Sequence, residues 1–356
     1  MLSKKVSVVI LAGLLLTGLV AGLLLTGLGF RPFTAAAGRR ADSQKAARTY
    51  SWTVAMAVSE ETLNYKMFEK FKELIEARSN GTIKVNIFPG GQLGNDTEQI
   101  QGLINGSNDF CSTITTGVTS FVKEYSVFDL PNAFPNIEVM RTVLDDHSFI
   151  DALNLYGEPK NIKLMGFADA GFREMASNIP INSVNDIRGL KMRVIQDPYH
   201  IAYWRALGAN PLAMDFSEVY IGLQQKIIDA MECPYMLLVA NKFYEVQRYI
   251  IESDHLPHIL VFLMNNNLYN SLPGDIKNLV DQCVNESVVY TRQLADESIA
   301  ADKKTVENSG TRIISLTPAV KEEIQRRASS VYDLARQNLD NKLIDSLLTA
   351  VQNVSP

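Results

Sequence analysis

Residues 273–309 carry the longest helical pattern in the chain, and they constrain the fold more than any other segment. The pattern begins at Pro273 and is ended by Gly310. The predicted helix has over thirty residues, which is two to three times the usual length of a helix in a globular protein. A helix of this length extends beyond one compact lobe. The chain has 356 residues, more than one hydrophobic core usually holds, so we expect two lobes with this helix crossing both.

The segment after residue 50 predicts a βαβ unit. The stretches "SWTVAMAV" (51–58) and "TIKVNIF" (82–88) have the composition of strands. Between them, apolar residues recur at helical spacing from Leu63 to Ile75, and Asn80-Gly81 ends the helix. Two strands joined in this way are parallel, with a right-handed crossover. The alternation resumes at 162–168, 190–196 and 212–240, and residues 318–352 predict a final helical pair. The fold class is therefore α/β.

The distribution of charge argues against nucleic acid as a partner. The formal net charge is −5, but seven of the 34 Lys and Arg residues and only one of the 39 acidic residues lie in the first 48 positions. The remaining 308 residues therefore carry a net charge of −11. Nucleic-acid binding needs clustered Lys and Arg to displace counterions, and no basic run follows residue 50.

The N-terminus predicts export. Lys4 and Lys5 precede an uncharged apolar run, residues 6–30, which is followed by Ala35-Ala36-Ala37. This order of charged, apolar and small residues is typical of a signal peptide. The run has 25 residues, however, which is long enough to span a bilayer. Residues 1–37 are thus either a cleaved signal or a retained membrane anchor, and residues 38–50 are a polar linker.

The sequence contains no combination of residues typical of an enzyme. It has no G-x-S-x-G, P-loop or H-E-x-x-H motif. His255 and His258 could both bind a metal, but Pro257 lies between them and no cysteine or third histidine is near, so two buried histidines are the alternative. The three cysteines have no spacing that calls for a disulfide, and Cys283 lies on the apolar face of the long helix. We expect no catalytic residues, no metal and no cofactor.

Two arginines, twenty residues apart, are the candidate ligand-binding residues. Arg193 lies inside the predicted strand of "GLKMRVIQDP" (189–198), and Arg173 lies in "DAGFREMASNIPI" (169–181). The planar guanidinium matches a carboxylate with two parallel hydrogen bonds, which lysine cannot do. Two such groups beside one cleft would select an organic anion. Salt bridges within the protein are the alternative.

Residues 52–351 resemble the solute-receptor subunit of tripartite ATP-independent periplasmic (TRAP) transporters, of the dicarboxylate-binding type. The matching segments are "IFPGGQLGND" (87–96), "GFREMASNIPI" (171–181), "DIRGLKMRV" (186–194), "LGANPLAMDFSEVYIGLQQKIIDAMECP" (207–234) and "KFYEVQRYI" (242–250). The resemblance implies a two-lobed, periplasmic-binding-protein-like α/β fold in which a long helix spans both lobes. On that pattern we predict lobe I in residues 51–170 with 259–298, and lobe II in residues 171–258 with 299–352.

The resemblance also implies a set of ligand-binding residues. Arg193 matches the arginine that grips the ligand carboxylate, Arg173 matches one that assists, and Phe216 matches an aromatic residue that packs on the ligand. Cys233 stands at a ligand-facing position, in "DAMECP" (229–234) where relatives often have a glycine in place of Ala230. Thr115, in "STITT" (112–116), would bring a hydroxyl from the first lobe. Core packing is the alternative for Phe216, and ordinary strand residues for "STITT".

These observations together predict a solute-binding protein outside the cytoplasm. It would capture a small mono- or dicarboxylate rather than a sugar acid, since the charged groups of sugar-acid receptors are absent from "STITT", and deliver it to the membrane subunits of a TRAP transporter. A membrane-anchored ligand sensor is the first alternative, because the N-terminal apolar run can act as an anchor. An enzyme that uses the same cleft is the second.

Overall fold

The structure of the protein, a computed structural model, describes residues 48–355. The predicted leader, residues 1–37, and most of the linker lie outside the described residues. The strands are β1 (Tyr50–Ala55), β2 (Ile83–Phe88), β3 (Phe110–Ile114), β4 (Ile162–Ser177), β5 (Lys191–Val194), β6 (Asn210–Ala213), β7 (Ala230–Cys233), β8 (Tyr249–Asn265) and β9 (Arg312–Ser315).

The α-helices alternate with these strands through most of the chain. They are α1 (Leu63–Arg78), α2 (Asp96–Asn105), α3 (Thr115–Val118), α4 (Ile137–Leu144), α5 (His147–Gly157), α6 (Pro198–Ala206), α7 (Val219–Gln224), α8 (Tyr235–Ala240), α9 (Asn266–Ser271), α10 (Gly274–Asn308), α11 (Pro318–Asn338) and α12 (Asn341–Val354). Short 3-10 segments lie at Lys123–Asp129, Glu158–Lys160, Val184–Ile187, Phe216–Glu218 and Phe243–Glu245. The predicted final helical pair is confirmed as α11 and α12.

The strands form one mixed sheet with two halves. The strand order is β2-β1-β3-β8-β4-β7-β5-β6, and β9 pairs with β8. Strands β1, β2 and β3 make the first half, and β5, β6 and β7 make the second. The predicted βαβ unit is confirmed, because β1 and β2 pair in parallel from Tyr50–Ile83 to Ala55–Phe88. The antiparallel strands β4 and β8, 16 and 17 residues long, run through both halves and join them.

Strand β4 is longer than the sequence predicts because it continues through a bulge. The pattern predicts a strand over residues 162–168, whereas β4 extends to Ser177. Its pairing with β8 shifts register between Asp169 and Phe172. Gly171 lies at this shift with φ +76°, a conformation that glycine adopts without a steric penalty. The bulge lets one strand change direction and remain paired in both halves of the sheet.

The predicted long helix is confirmed as α10, within one residue at each end. It packs against α1 and β4 beside the first half of the sheet, and against α8 and β9 beside the second. Its middle residue Arg292 is anchored by an ion pair with Asp145, 2.8 Å between Nη1 and Oδ2, and by a hydrogen bond from Nη2 to the carbonyl of Phe167, 2.7 Å. The helix therefore connects the two halves on one side.

The two C-terminal helices cover different parts of the molecule. Helix α11 packs against α6, which follows β5 of the second half. Helix α12 packs against α4 and α5, which lie in the segment predicted as lobe I. Apolar residues of all five helices join strand residues of both halves in the largest core cluster. The lobe boundaries stay a prediction, since residues 299–352, assigned to lobe II, make contacts with both segments.

The three cysteines are buried and have free thiols. Cys283 lies in the core on α10 as predicted. None of the helices within residues 48–355 is both long enough and apolar enough to cross a membrane.

Candidate carboxylate-binding site

Arg193 is a buried cation that keeps one nitrogen without a partner. It lies in β5, which pairs with β6 and β7, and its side chain is 3% exposed. Its Nε and Nη2 both donate to the carbonyl of Met214, at 3.0 and 2.8 Å. Its Nη1 has no hydrogen-bond partner among the described residues. Burying an uncompensated charge costs several kcal/mol, so the site favours an anion at Nη1.

The electrostatic surroundings of Arg193 reinforce this conclusion. Burial lowers the pKa of Arg193 from its ordinary value, and the like charge of Arg173 adds to that shift, whereas Glu232 opposes it. An arginine nevertheless stays protonated in proteins. A carboxylate bound at Nη1 would offset both the free-energy cost of burying the charge and the repulsion from Arg173.

Phe216 lies beside Arg193, and its predicted packing on a ligand stays a prediction. The Arg193 Cζ is 5.6 Å from the centre of the Phe216 ring, which is within the range of a cation–π contact. The ring packs edge-on against Phe243, with centroids 5.7 Å apart. Phe216 is half-buried, and its ring lies on one side of the guanidinium.

Arg173 is already paired with a carboxylate inside the protein. Its Nε contacts Oε2 of Glu232, and its Nη2 donates to Oε1 of the same residue at 3.0 Å. Nη2 also donates to the Glu232 carbonyl at 3.0 Å, and Nη1 lies 3.0 Å from Nδ1 of His258. All three nitrogens of Arg173 therefore have partners. This pairing is the intramolecular alternative that the sequence left open.

Glu232 is the centre of a buried polar network. Burial would raise its pKa, but Arg173, His200 and His255 hold the pKa well below its ordinary value. Burial opposes a charge on His200, yet Asp129 and Glu232 raise its pKa to about 9. Burial lowers the pKa of His255, and that of His258 to about 3. His258 is thus neutral and can accept the hydrogen bond from Arg173.

Of the other predicted residues, Cys233 lies next to this network, and Thr115 is one residue from a side chain that contacts it. Cys233 is fully buried beside Glu232, with its sulfur 3.9 Å from that of Met231, and burial raises the pKa of its thiol. Thr115 is buried at the first position of α3. The neighbouring Thr116 donates to Oδ1 of Asp129 at 3.2 Å.

Sequence reasoning missed Glu232, His200 and Asp129. The signal for Glu232 is a charged residue in the short strand β7, all of whose residues are buried. A buried glutamate needs a cationic partner, and Arg173 was the candidate. His200 and Asp129 offer no comparable signal, because their contact joins residues 71 positions apart.

Comparisons with known proteins agree with this architecture. Residues 54–338 match the family described as "Bacterial extracellular solute-binding protein, family 7", DctP. The C4-dicarboxylate-binding periplasmic protein DctP of Shewanella loihica is 26% identical over 294 residues, 82% of this chain and 87% of the relative.

Solved structures of TRAP periplasmic solute-binding proteins have the same fold. One from Ochrobactrum anthropi, with its C-terminus bound in the ligand-binding pocket, has a TM-score of 0.83 at 27% identity and covers 86% of this chain and 96% of its own. The sugar acid binding protein DctPAm of Advenella mimigardefordensis, in complex with galactonate, has a TM-score of 0.76 at 26% identity, over 86% and 99%. The chain therefore belongs to family 7 of the bacterial extracellular solute-binding proteins, the DctP family, and has its two-lobed α/β fold.

Proposed function

We propose that this protein captures a small organic acid, a mono- or dicarboxylate, by pairing the ligand carboxylate with Arg193. One observation carries the proposal: a buried guanidinium has a nitrogen with no partner among the described residues. Closing the protein over the ligand would exclude water and strengthen this ion pair. Phe216 supports the guanidinium. Cys233, which lies beside Glu232, offers the ligand only a thiol, a weak hydrogen-bond donor.

A small acid suits these surroundings better than a polyhydroxylated one. Sugar acids need several hydrogen-bond partners, and Arg173 has already used its three nitrogens on Glu232 and His258. The relative from Shewanella loihica binds C4-dicarboxylates by its name, while the one from Advenella mimigardefordensis holds galactonate. Both classes therefore belong in the test.

The place of action follows from the family and the N-terminus. The matched family acts outside the cytoplasm, and residues 1–37 have the order of an export signal or anchor. In this role the protein delivers its ligand to the membrane subunits of a TRAP transporter and catalyses no reaction itself.

Titration calorimetry on the purified protein tests the proposal. The ligand panel is succinate, malate, lactate and pyruvate, with galactonate and glucuronate as the sugar-acid arm. For the acid that binds, we expect Arg193→Ala to cost about 2–5 kcal/mol of binding free energy. Arg193→Lys should also bind weakly, because it lacks the planar fork.

Arg205→Ala is the matched control, since this arginine is exposed near the end of α6. It should bind like the wild type. Unchanged affinity in both Arg193 variants would refute the site, and tighter binding of a sugar acid than of any small acid would refute the ligand class.

A further inference from the structure

Three buried side chains form a second cluster next to the candidate carboxylate site. Asp129, Asp197 and His200 each offer one metal-ligating atom, and these atoms lie within 4.8 Å of one another. The residues are 4%, 2% and 1% exposed. Two carboxylates this close together, away from water, disfavour each other's negative charge, so the cluster favours a nearby cation.

The cluster also contains a carboxylate oxygen without a partner. Asp129 Oδ1 lies 3.3 Å from His200 Nε2 and accepts from Thr116 at 3.2 Å. Asp129 Oδ2 has no hydrogen-bond partner among the described residues. A buried polar atom with no partner destabilises the folded state, so this oxygen points to a ligand that the protein side chains do not supply.

The local backbone fixes the three groups in place. Asp197 is the N-cap of α6, and its Oδ1 accepts from the amides of Tyr199 and His200 at 2.8 and 3.1 Å. His200 lies in the first turn of α6, directly after this cap. Asp129 ends the 3-10 segment Lys123–Asp129, far from Asp197 in sequence. An ion bound here would connect this segment to the start of α6.

A third carboxylate, that of Glu232, lies where it would orient the histidine. Glu232 Oε1 is 3.7 Å from His200 Nδ1, on the opposite side of the ring from Asp129. A metal-ligating histidine commonly donates its other ring N–H to a carboxylate, which fixes the orientation of the ring. At 3.7 Å this contact is longer than a hydrogen bond, and Nδ1 has no hydrogen-bond partner among the described residues.

We propose that Asp129, Asp197 and His200 bind one divalent first-row transition-metal ion. One imidazole nitrogen and two carboxylate oxygens are a donor set that suits Zn²⁺, and also Mn²⁺, better than an all-oxygen cation such as Mg²⁺. The site uses none of Arg193, Phe216 or Cys233 and stands independently of the proposed function. A hydrogen-bonded ion pair between His200 and Asp129, without a metal, is the competing interpretation.

Equilibrium dialysis of the protein, purified without a polyhistidine tag and stripped with EDTA, tests the site. The probes are Zn²⁺ and Mn²⁺, with Mg²⁺ as the comparison, and bound metal is counted by mass spectrometry. We expect one Zn²⁺ per chain, and a higher melting temperature when it binds. Binding of less than one Zn²⁺ per chain at saturation would overturn the proposal in favour of the ion pair.

Variants show whether these residues hold the ion. Asp129→Asn and Asp197→Asn should each weaken Zn²⁺ binding more than about 100-fold, because losing even an outer partner of a ligand costs about 10–100-fold. Asp197→Asn keeps the helix cap, since asparagine caps as well as aspartate, so its fold is secured. His147→Gln, at an exposed histidine, is the control and should bind like the wild type. Wild-type affinity in Asp197→Asn would refute the site.

Discussion

Arg173 and Glu232 form a buried ion pair across the antiparallel strands β4 and β7, with Nη2 3.0 Å from Oε1. The arginine twenty residues later, Arg193, has no such carboxylate and donates only to the carbonyl of Met214 among the described residues. The two arginines thus differ in what they can still bind. Arg173 is neutralised within the protein, whereas Arg193 keeps a nitrogen for an incoming anion.

The first prediction concerns the stability of the Arg173–Glu232 pair. Glu232→Gln keeps the shape of the side chain but leaves the buried Arg173 without a counter-charge. Breaking a buried pair by removing one partner costs about 3–5 kcal/mol, and we expect this decrease in the free energy of unfolding, measured with urea.

The exposed pair Arg78–Glu286 is the matched control for Glu232→Gln. This pair is also joined by two N–H···O contacts, both 2.7 Å long and made by Nη1 and Nη2 of Arg78, but water already solvates it. Glu286→Gln should have a much smaller effect than Glu232→Gln. Equal effects of the two substitutions would show that burial of the Arg173 charge is not what makes Glu232 necessary.

A second prediction concerns the aromatic support of Arg193. Phe216→Leu removes the ring that lies 5.6 Å from the guanidinium carbon and keeps an apolar side chain. A cation–π contact contributes about 0.5–2 kcal/mol, so the affinity for the organic acid should fall by roughly that free energy. Phe216→Tyr keeps the ring and should bind nearly as well as the wild type. Calorimetry checks both, and equal loss in the two variants would contradict the role of the ring.

Much of the fold could be predicted from sequence because it depends on local pattern. The helical spacing of apolar residues in α1, between two strand-like segments, predicts the βαβ unit, and the helical pattern that Gly310 ends predicts α10 almost to the residue. The bulge at Gly171 could not be predicted, because a glycine after a strand indicates its end as readily as its continuation.

The polar interior depends instead on pairings between distant parts of the chain. Arg173 and Glu232 are 59 residues apart and meet only because β4 pairs with β7. In the same way, Asp129 meets His200 only when the segment before α4 packs against α6. Residue type predicts an anionic partner for each arginine, but which partner each one has depends on this tertiary pairing.

A third prediction concerns the bulge in β4. Gly171 has φ +76°, and a Cβ there would lie 2.7 Å from Cδ1 of Ile299 on α10. Gly171→Ala should therefore cost about 1–2 kcal/mol for the left-handed backbone, plus the free energy of displacing Ile299.

Gly189 separates these two costs. It has φ +79°, but a Cβ at this position would have no other atom within 4 Å, so Gly189→Ala should show the backbone cost alone. Adding Ile299→Val, which removes Cδ1, should restore part of the stability of Gly171→Ala. If the double variant loses as much free energy of unfolding as the two single variants lose together, the contact with Ile299 does not cause the extra cost of Gly171→Ala. Urea unfolding of all four variants measures these differences.

The fourth prediction is a dependence of stability on pH that originates at Glu174. This carboxylate is buried and accepts from the amides of Ser253 and Asp254 at 2.7 and 3.1 Å. Burial, reinforced by the negative charge of Asp254, raises its pKa well above the ordinary 4.5. The folded state therefore holds this proton more tightly than the unfolded state does.

The sign of the effect follows from proton linkage. The stabilisation from the Glu174 proton is fully present below the unfolded pKa, and it is lost as pH rises towards the folded pKa, by at most about 1.4 kcal/mol per pH unit. Glu174→Gln cannot ionise, and its amide oxygen can still accept from Ser253. The free energy of unfolding of this variant, relative to wild type, should therefore increase from about pH 4 to about pH 8. Glu218→Gln, at an exposed residue, controls for the loss of one negative charge. A difference between Glu174→Gln and wild type that stays constant over this range would show that folding does not raise the pKa of Glu174.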